Sequence, residues 1–175
     1  RGMKISRIKI ENFRSIKNRQ VFSMVAESGR SKPDNVFEAT LPNENTVRVL
    51  KSAMIYGANA SGKSNLIKAF QALQQLVLNS AGYRTGKPIQ AYNPFVFSET
   101  TAAAPTVFEL TFVFNNIKYR YEIAFNSTEI ISEVLDYFPK GQTQNIFKRP
   151  VEKSESELLH TARLGTNHGN KNIEV

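Results

Sequence analysis

The residues best suited to chemistry lie in one run, Gly57-Ala58-Asn59-Ala60-Ser61-Gly62-Lys63-Ser64, which fits the pattern G-x-x-x-x-G-K-[ST]. That pattern is a cradle for the phosphates of a nucleoside triphosphate. A chance match in a chain of this length arises roughly 1% of the time at average composition. The flanks add to it: Ala53 to Tyr56 reads as a short buried strand and Asn65 onward as a helix, the setting the motif requires. Gly57 permits a turn that most side chains forbid. Backbone N–H groups from Asn59 through Ala60 and Ser61 to Ser64 form a nest for anionic oxygens. The last of them belong to the first turn of the helix, whose dipole favours negative charge. Gly62 lets the backbone approach the phosphates. Lys63 is expected to reach the β- and γ-phosphates as a point charge. The Ser64 hydroxyl is expected to ligate Mg²⁺, and the Asn59 amide to touch the γ-phosphate.

The elements around this run must position it. At 175 residues the chain suggests one domain, long enough to bury about 70% of its unfolded surface. Met3 to Ile10 reads as a strand, Asn12 to Ser15 as a turn, and Arg19 to Val25 as a second strand antiparallel to the first. Glu27 to Asn35 is a polar loop. Val36 to Thr40 and Val47 to Leu50 are strand-like, with a turn from Leu41 to Asn45. From Lys63 to Leu78 the pattern is helical, with Leu66, Phe70, Leu73 and Val77 as the apolar stripe and Lys68, Gln71, Gln74 and Gln75 opposite. Asn79 to Gly82 stops it. Val107 to Phe114 and Ile117 to Phe125 alternate strictly about Asn115-Asn116, a two-residue hairpin turn. Ile130 to Phe138 and Gln144 to Lys148 continue the meander. The alternation makes its aromatics a buried face rather than a stacking platform for bases.

Composition excludes several classes. Without cysteine there is no disulfide or thiolate zinc site, which suits a cytoplasmic protein. No apolar run approaches the ~18 residues of a membrane span, and the basic N-terminus lacks the apolar stretch of a signal peptide. Arg1-Gly2 reads as an expression remnant before Met3. The net charge is +8, and residues 1–20 hold Arg1, Lys4, Arg7, Lys9, Arg14, Lys17 and Arg19 against Glu11 alone. Such a patch is either an electrostatic footprint for nucleic acid or a solvated strand face whose lysines guard an edge. Several catalytic signals are missing. No apolar strand ends in Asp-Glu, the acidic pair that handles Mg²⁺ and water. Asn170-Lys171-Asn172-Ile173 fails as a guanine motif at its last position, and His160 and His168 have no ligand partners at useful spacing.

Taken together, the basic strand, Glu11-Asn12-Phe13-Arg14-Ser15-Ile16, and Tyr56 through Gly62-Lys63-Ser64-Asn65-Leu66 resemble the N-terminal lobe of the ABC-type ATPase heads of SMC, RecF and OLD proteins. The variety most resembled is the bacterial AAA-family ATPases of phage-defence and abortive-infection systems. Phe108-Glu109-Leu110, Tyr119-Arg120-Tyr121, Ile131-Ser132-Glu133 and Pro139-Lys140-Gly141 resemble that variety too.

The resemblance spans about residues 3–150. It implies an α/β fold, a partial P-loop NTPase head with a mixed sheet and an antiparallel β-meander. It implies ATP and Mg²⁺ as cofactors. Arg14 would contact the nucleotide, with Ser15 beside it, and the loop residues through Asn65 map directly. Ala60 stands where relatives often have Gly. A Q-loop glutamine is implied, with Gln142, Gln144 and Gln90 as candidates. Two ATPs would be sandwiched between a homodimer of heads, linked to nucleic acid or to a nuclease or other effector in defence or repair. The acidic pair and signature would lie in a C-terminal lobe, into which residues 151–175 are expected to lead.

Two other readings compete: a nucleotide-sensing interaction module without hydrolysis of its own, and a P-loop kinase or GTPase. The long antiparallel meander and the missing guanine motif oppose the latter. Lys63→Ala is expected to abolish nucleotide binding and leave the fold intact, because it deletes a phosphate contact rather than core packing. Isothermal titration with Mg-ATP beside a thermal melt checks this, and unchanged affinity rules the assignment out.

Overall fold

Strand alternation dominates the chain, and the fold that results is a sheet with one long helix on one face. The computed structural model describes residues 2–28, 33–43, 45–54, 62–79, 82–83 and 86–149. The strands are β1 (Lys4–Glu11), β2 (Gln20–Ser23), β3 (Val36–Thr40), β4 (Thr46–Leu50), β5 (Thr106–Phe114), β6 (Ile117–Phe125), β7 (Ile130–Phe138) and β8 (Gln144–Arg149). The helices are α1 (Lys63–Asn79) and the short α2 (Glu99–Ala102). Six strands form one sheet in the order β2-β1-β5-β6-β7-β8, and β3 pairs with β4 in a separate hairpin.

The meander follows from its turns. Asn115 and Asn116 sit at φ 49° and 60°, so the β5–β6 connection is the two-residue turn whose twist matches its strands. The Asn126 side chain accepts the backbone N–H groups of Thr128 and Glu129, both at 2.9 Å, and turns β6 into β7. Gly141, at φ 80°, does the same before β8. β1 then joins the meander from a distance, pairing with β5 on one side and β2 on the other.

The core lies between this sheet and α1. Ile8, Ile10, Phe108, Leu110, Ile123 and Phe125 come from one sheet face, and Leu66, Ala69, Leu73 and Leu76 from the helix. Each large apolar side chain buried this way stabilises the fold by about 1.5–3 kcal/mol. Phe108, fully buried, meets Phe13 edge-on at 5.2 Å and Phe125 at 5.7 Å. Glu133 also lies on this side, where Tyr121 Oη donates to it at 2.6 Å and Arg149 lies 3.1 Å away.

Three expectations change. The buried helix stripe is Leu66, Ala69, Leu73 and Leu76 with Ala72, so Val77 is exposed and Phe70 only borders the core. Ala53 and Met54 form no strand, and Met54 is 77% exposed. Ile55 and Tyr56 lie outside the described residues. Finally, every described ladder is antiparallel, so the mixed sheet is not seen among the described residues. No helix among them is long and apolar enough to cross a membrane.

The opposite sheet face carries charge. Lys9 pairs with Glu109 at 2.8 Å and Arg120 with Asp136 at 2.8 Å. Glu122 stands directly across from Glu109. Burial, then the Glu109 charge and a hydrogen bond to it, raises the Glu122 carboxyl above the ordinary 4.5, against the pull of Arg19 and Arg120. A carboxylate whose folded pKa is raised costs stability above that pKa, and the cost disappears below the ordinary value. Glu122→Gln is therefore expected to stabilise the protein at neutral pH, with an advantage that shrinks as pH falls toward 4.5. Urea titrations across that range check it, and a pH-independent advantage contradicts it.

Candidate functional site

The turn after β1 is built from the inside out. Asn12 is 3% exposed. Its amide nitrogen donates to the carbonyls of Thr101 at 2.7 Å, Ala104 at 2.9 Å and Pro105 at 3.2 Å. Its amide oxygen accepts the Phe95 N–H at 2.9 Å, and its own carbonyl accepts the Thr106 hydroxyl at 2.6 Å. Buried amides persist only when satisfied in this way. Tyr92 Oη donates to the Ala104 carbonyl at 2.7 Å and braces the same segment. Next, Phe13 enters the core against Phe108. Phe13 and Ile16 exchange backbone hydrogen bonds at 2.9 and 2.8 Å, closing a tight turn with Arg14 and Ser15 at its tip.

Arg14 is held at φ 54°. The left-handed region costs a residue with a Cβ about 1–2 kcal/mol. Such outliers gather at functional sites. The Arg14 N–H is fixed on the Asn93 carbonyl at 2.7 Å. Its side-chain Nε donates to Asn65 Oδ1 at 2.8 Å, and Asn65 Nδ2 donates to Ser15 Oγ at 2.5 Å. Asn65 is the third residue of α1, so one side chain ties the turn to the beginning of the helix across 51 residues of sequence.

Gly62 precedes that helix at φ 83°. Among the described residues a Cβ there would meet only Ser15 Oγ, at 3.9 Å, and the positive φ by itself calls for glycine. The Gly62 carbonyl accepts the N–H groups of Asn65 and Leu66 at 3.0 and 3.2 Å. The open end of the first turn is thus at Lys63 and Ser64, where a helix presents N–H groups and positive potential. Lys63 is half-buried and Ser64 exposed.

The structure brings together Arg14, Ser15, Gly62, Lys63, Ser64 and Asn65. Gly57, Asn59, Ala60 and Ser61 lie outside the described residues, as do His160 and His168. Two cations, two hydroxyls and the first-turn amides are gathered by the turn and the helix start, and the described side-chain bonds of Arg14 and Ser15 here run to the Asn65 amide. That donor set fits a phosphate group, and the exposed Ser64 hydroxyl is a hard oxygen of the kind Mg²⁺ accepts. Of the candidate glutamines, Gln90 lies beside Gln75 and Asn79 at the far end of α1, a helix whose 17 residues span about 25 Å. Gln144 is engaged by Tyr137 Oη at 2.8 Å on the outer edge strand, and Gln142 is exposed in the turn before it.

Sequence reasoning passed over the segment from Tyr92 to Pro105, which supplies every acceptor for the Asn12 amide. Its bracketing prolines, Pro94 and Pro105, and Ser98 before Glu99 were the available signals.

A family described as "AAA domain, putative AbiEii toxin, Type IV TA system" matches residues 52–159, more than half of the chain. The chain belongs to this family of AAA domains. It is an ATPase-type, nucleotide-binding domain. No curated protein matches it. The match includes residues 57–64, α1 and β5 to β8 but leaves out residues 1–51, which hold Arg14 and Ser15. The bonds from Asn12 to Thr101, Ala104 and Pro105, from Arg14 to Asn93 and Asn65, and the packing of Phe13 on Phe108 attach that N-terminal turn to the matched region.

The clamp yields a stability test. Asn12→Ala takes the side-chain partner from the Phe95 N–H and the Pro105 carbonyl, removes one of several bonds to the Thr101 and Ala104 carbonyls, and puts alanine at φ 51°, so it is expected to cost roughly 3 kcal/mol. Asn12→Asp keeps the acceptor but sets a carboxylate against the carbonyls, and is expected to cost at least as much. Urea denaturation measures both. A loss of less than about 1 kcal/mol, the ordinary size for a point substitution, contradicts the clamp.

Proposed function

We propose that this AAA domain is the N-terminal lobe of an ABC-type ATPase head, of the SMC, RecF and OLD kind, that binds ATP with Mg²⁺. The observation that carries the reading is the junction of Arg14, Asn65 and Ser15 at the beginning of α1. A phosphate loop by itself recurs on many folds. An arginine strained into the left-handed region and aimed at the helix start is a more particular arrangement.

The residues divide the work. Lys63 and Arg14 would supply positive charge to the phosphates, and the first-turn amides oriented dipoles. Ser64 would hold the cation, which would supply positive charge to the phosphates. Asn65 positions Arg14 and Ser15 together, so the turn and the helix respond to the nucleotide as one unit. In this reading two such lobes engage through ATP as a homodimer of heads. The partners are nucleic acid or a nuclease effector, and the setting is cytoplasmic defence or repair. The AbiEii toxin in the family's description supports the abortive-infection side of that setting.

A second reading, a nucleotide sensor without hydrolysis of its own, draws on the described bonds of the junction, in which Arg14 and Ser15 meet the Asn65 amide rather than a carboxylate. In both readings residues 1–175 alone bind Mg-ATP and turn over almost none, since nothing in the junction orients an attacking water. A phosphate-release assay with Lys63→Ala as the contamination control checks this. Turnover on the order of 1 s⁻¹, lost in the variant, contradicts it and marks a complete enzyme of another class.

A further inference from the structure

The sheet face opposite α1 is mostly self-neutralised, but one part of it is not. Of the N-terminal bases, Lys9 and Arg19 pair with Glu109 and Glu11, Arg14 reaches Asn65, and Lys4 lies 5.5 Å above the Phe37 ring. Arg7 has no acidic partner among the described residues. It opens on a cleft of about 420 Å³ between the sheet and the β3–β4 hairpin. The lining includes Arg7, Arg48 and Lys118 with the hydroxyl residues Ser6, Thr46 and Thr111, and among the described residues holds no carboxylate.

The cleft is shaped by a defect in the ladder. The β1–β5 register shifts between Ile5 and Arg7, leaving Ser6 as an extra residue. Bulges of this kind bend a strand and re-aim its side chains. Ser6 is buried, and its hydroxyl donates to the Thr111 carbonyl at 3.0 Å, which pins the bulge. Across the cleft, Arg48 is oriented from behind by Glu38 Oε1 at 3.1 Å and by the Glu27 carbonyl at 3.3 Å. The Lys118 ammonium rests 4.3 Å over the Phe138 ring, a contact that uses its charge but none of its three donors. Three cations converge on a recess with Val25 and Val47 in its wall. Such a low-dielectric wall focuses their field.

We propose that this cleft is a second anion site, for a phosphate group, separate from the phosphate loop. The Arg7 guanidinium fork and the Lys118 ammonium, beside an Arg48 already paired with Glu38, match an anion with several oxygens and more than one charge, which a phosphate offers and a lone carboxylate does not. Strand alternation puts Arg7, Thr111 and Lys118 on the face away from α1, whereas Ile8, Leu110 and Phe112 face the helix side. The site therefore stands whether or not the nucleotide reading does. The phosphate comes either as a free oligophosphate or as the backbone of a nucleic acid.

Amide NMR titrations with sodium tripolyphosphate and with a phosphodiester oligonucleotide, in about 0.15 M salt so that diffuse attraction is screened, separate the sources. The proteins are the wild type, Lys63→Ala and the double variant Arg7→Gln, Lys118→Gln. The amides of Ser6, Arg7, Thr111 and Lys118 are expected to shift and saturate, equally in Lys63→Ala, with affinity at least about tenfold weaker in the double variant. Saturation by tripolyphosphate identifies a free phosphate ligand, and response to the oligonucleotide alone identifies a backbone. A thermal melt establishes that the double variant folds, and if it does not, Lys118→Gln alone carries the comparison. The proposal is overturned if neither probe saturates those amides, if Lys63→Ala loses the response, or if the glutamine variants bind like the wild type.

Discussion

The buried amide of Asn12 is the interaction on which the site's construction rests. It joins the end of β1 to a segment some ninety residues later by donating to three carbonyls and accepting one N–H. Those backbone groups belong to an irregular stretch with no ladder of its own. Without a partner each would cost about 1–3 kcal/mol in the interior. Asparagine suits the position twice over, since its amide offers both donor and acceptor and it tolerates the φ of 51° that starts the turn. With Asn12 fixed, Phe13 must point into the core and Arg14 must emerge at the tip. The functional direction of Arg14 is thus a consequence of where its neighbours are buried.

The sheet divides its two faces between packing and charge. On one, Ala69 and Ala72 keep the helix close enough for Leu66, Leu73 and Leu76 to reach Ile8, Ile10 and Phe108. This packing sets the height of the helix start against the β1 turn, and Asn65 bridges what is left. On the other, acids and bases neutralise one another along the strands, while the bulge at Ser6 and the hairpin gather Arg7, Lys118 and the Glu38-paired Arg48 around a cleft. A bulge adds nothing to the ladder, so its place beside that cleft is the sort of local cost that folds keep where something is bound.

Much of this was legible in the residues. The four meander strands follow from strict alternation, and Asn115-Asn116 announces its hairpin by side-chain type. The existence of α1 was legible, but its phase was not. Reading only large residues selected Phe70 and Val77, whereas the buried stripe uses Ala69, Ala72 and Leu76, whose small members close the distance to the sheet. The buried strand expected at Ala53 to Tyr56 depended on partners that no local pattern supplies. The stretch from Tyr92 to Pro105 was illegible for a related reason: it is held by side-chain bonds from Asn12 and has no periodicity. The proximity of Arg14 to the helix was visible only through the resemblance of the Asn-Phe-Arg-Ser turn to known heads. Nothing in composition or spacing brings residues 14 and 65 together.

The central claim is that the β1 turn and the start of α1 form one nucleotide site. The most direct measurement is a Mg-ATP titration that follows the Arg14 side-chain Nε–H resonance beside the backbone amides of Gly62 and Ser64. The account predicts that all three move and saturate together at one ligand concentration, because Asn65 couples them. Saturation at Gly62 and Ser64 with the Arg14 signal unmoved would contradict it, leaving the turn a structural brace, and no response at any of the three would remove the site altogether.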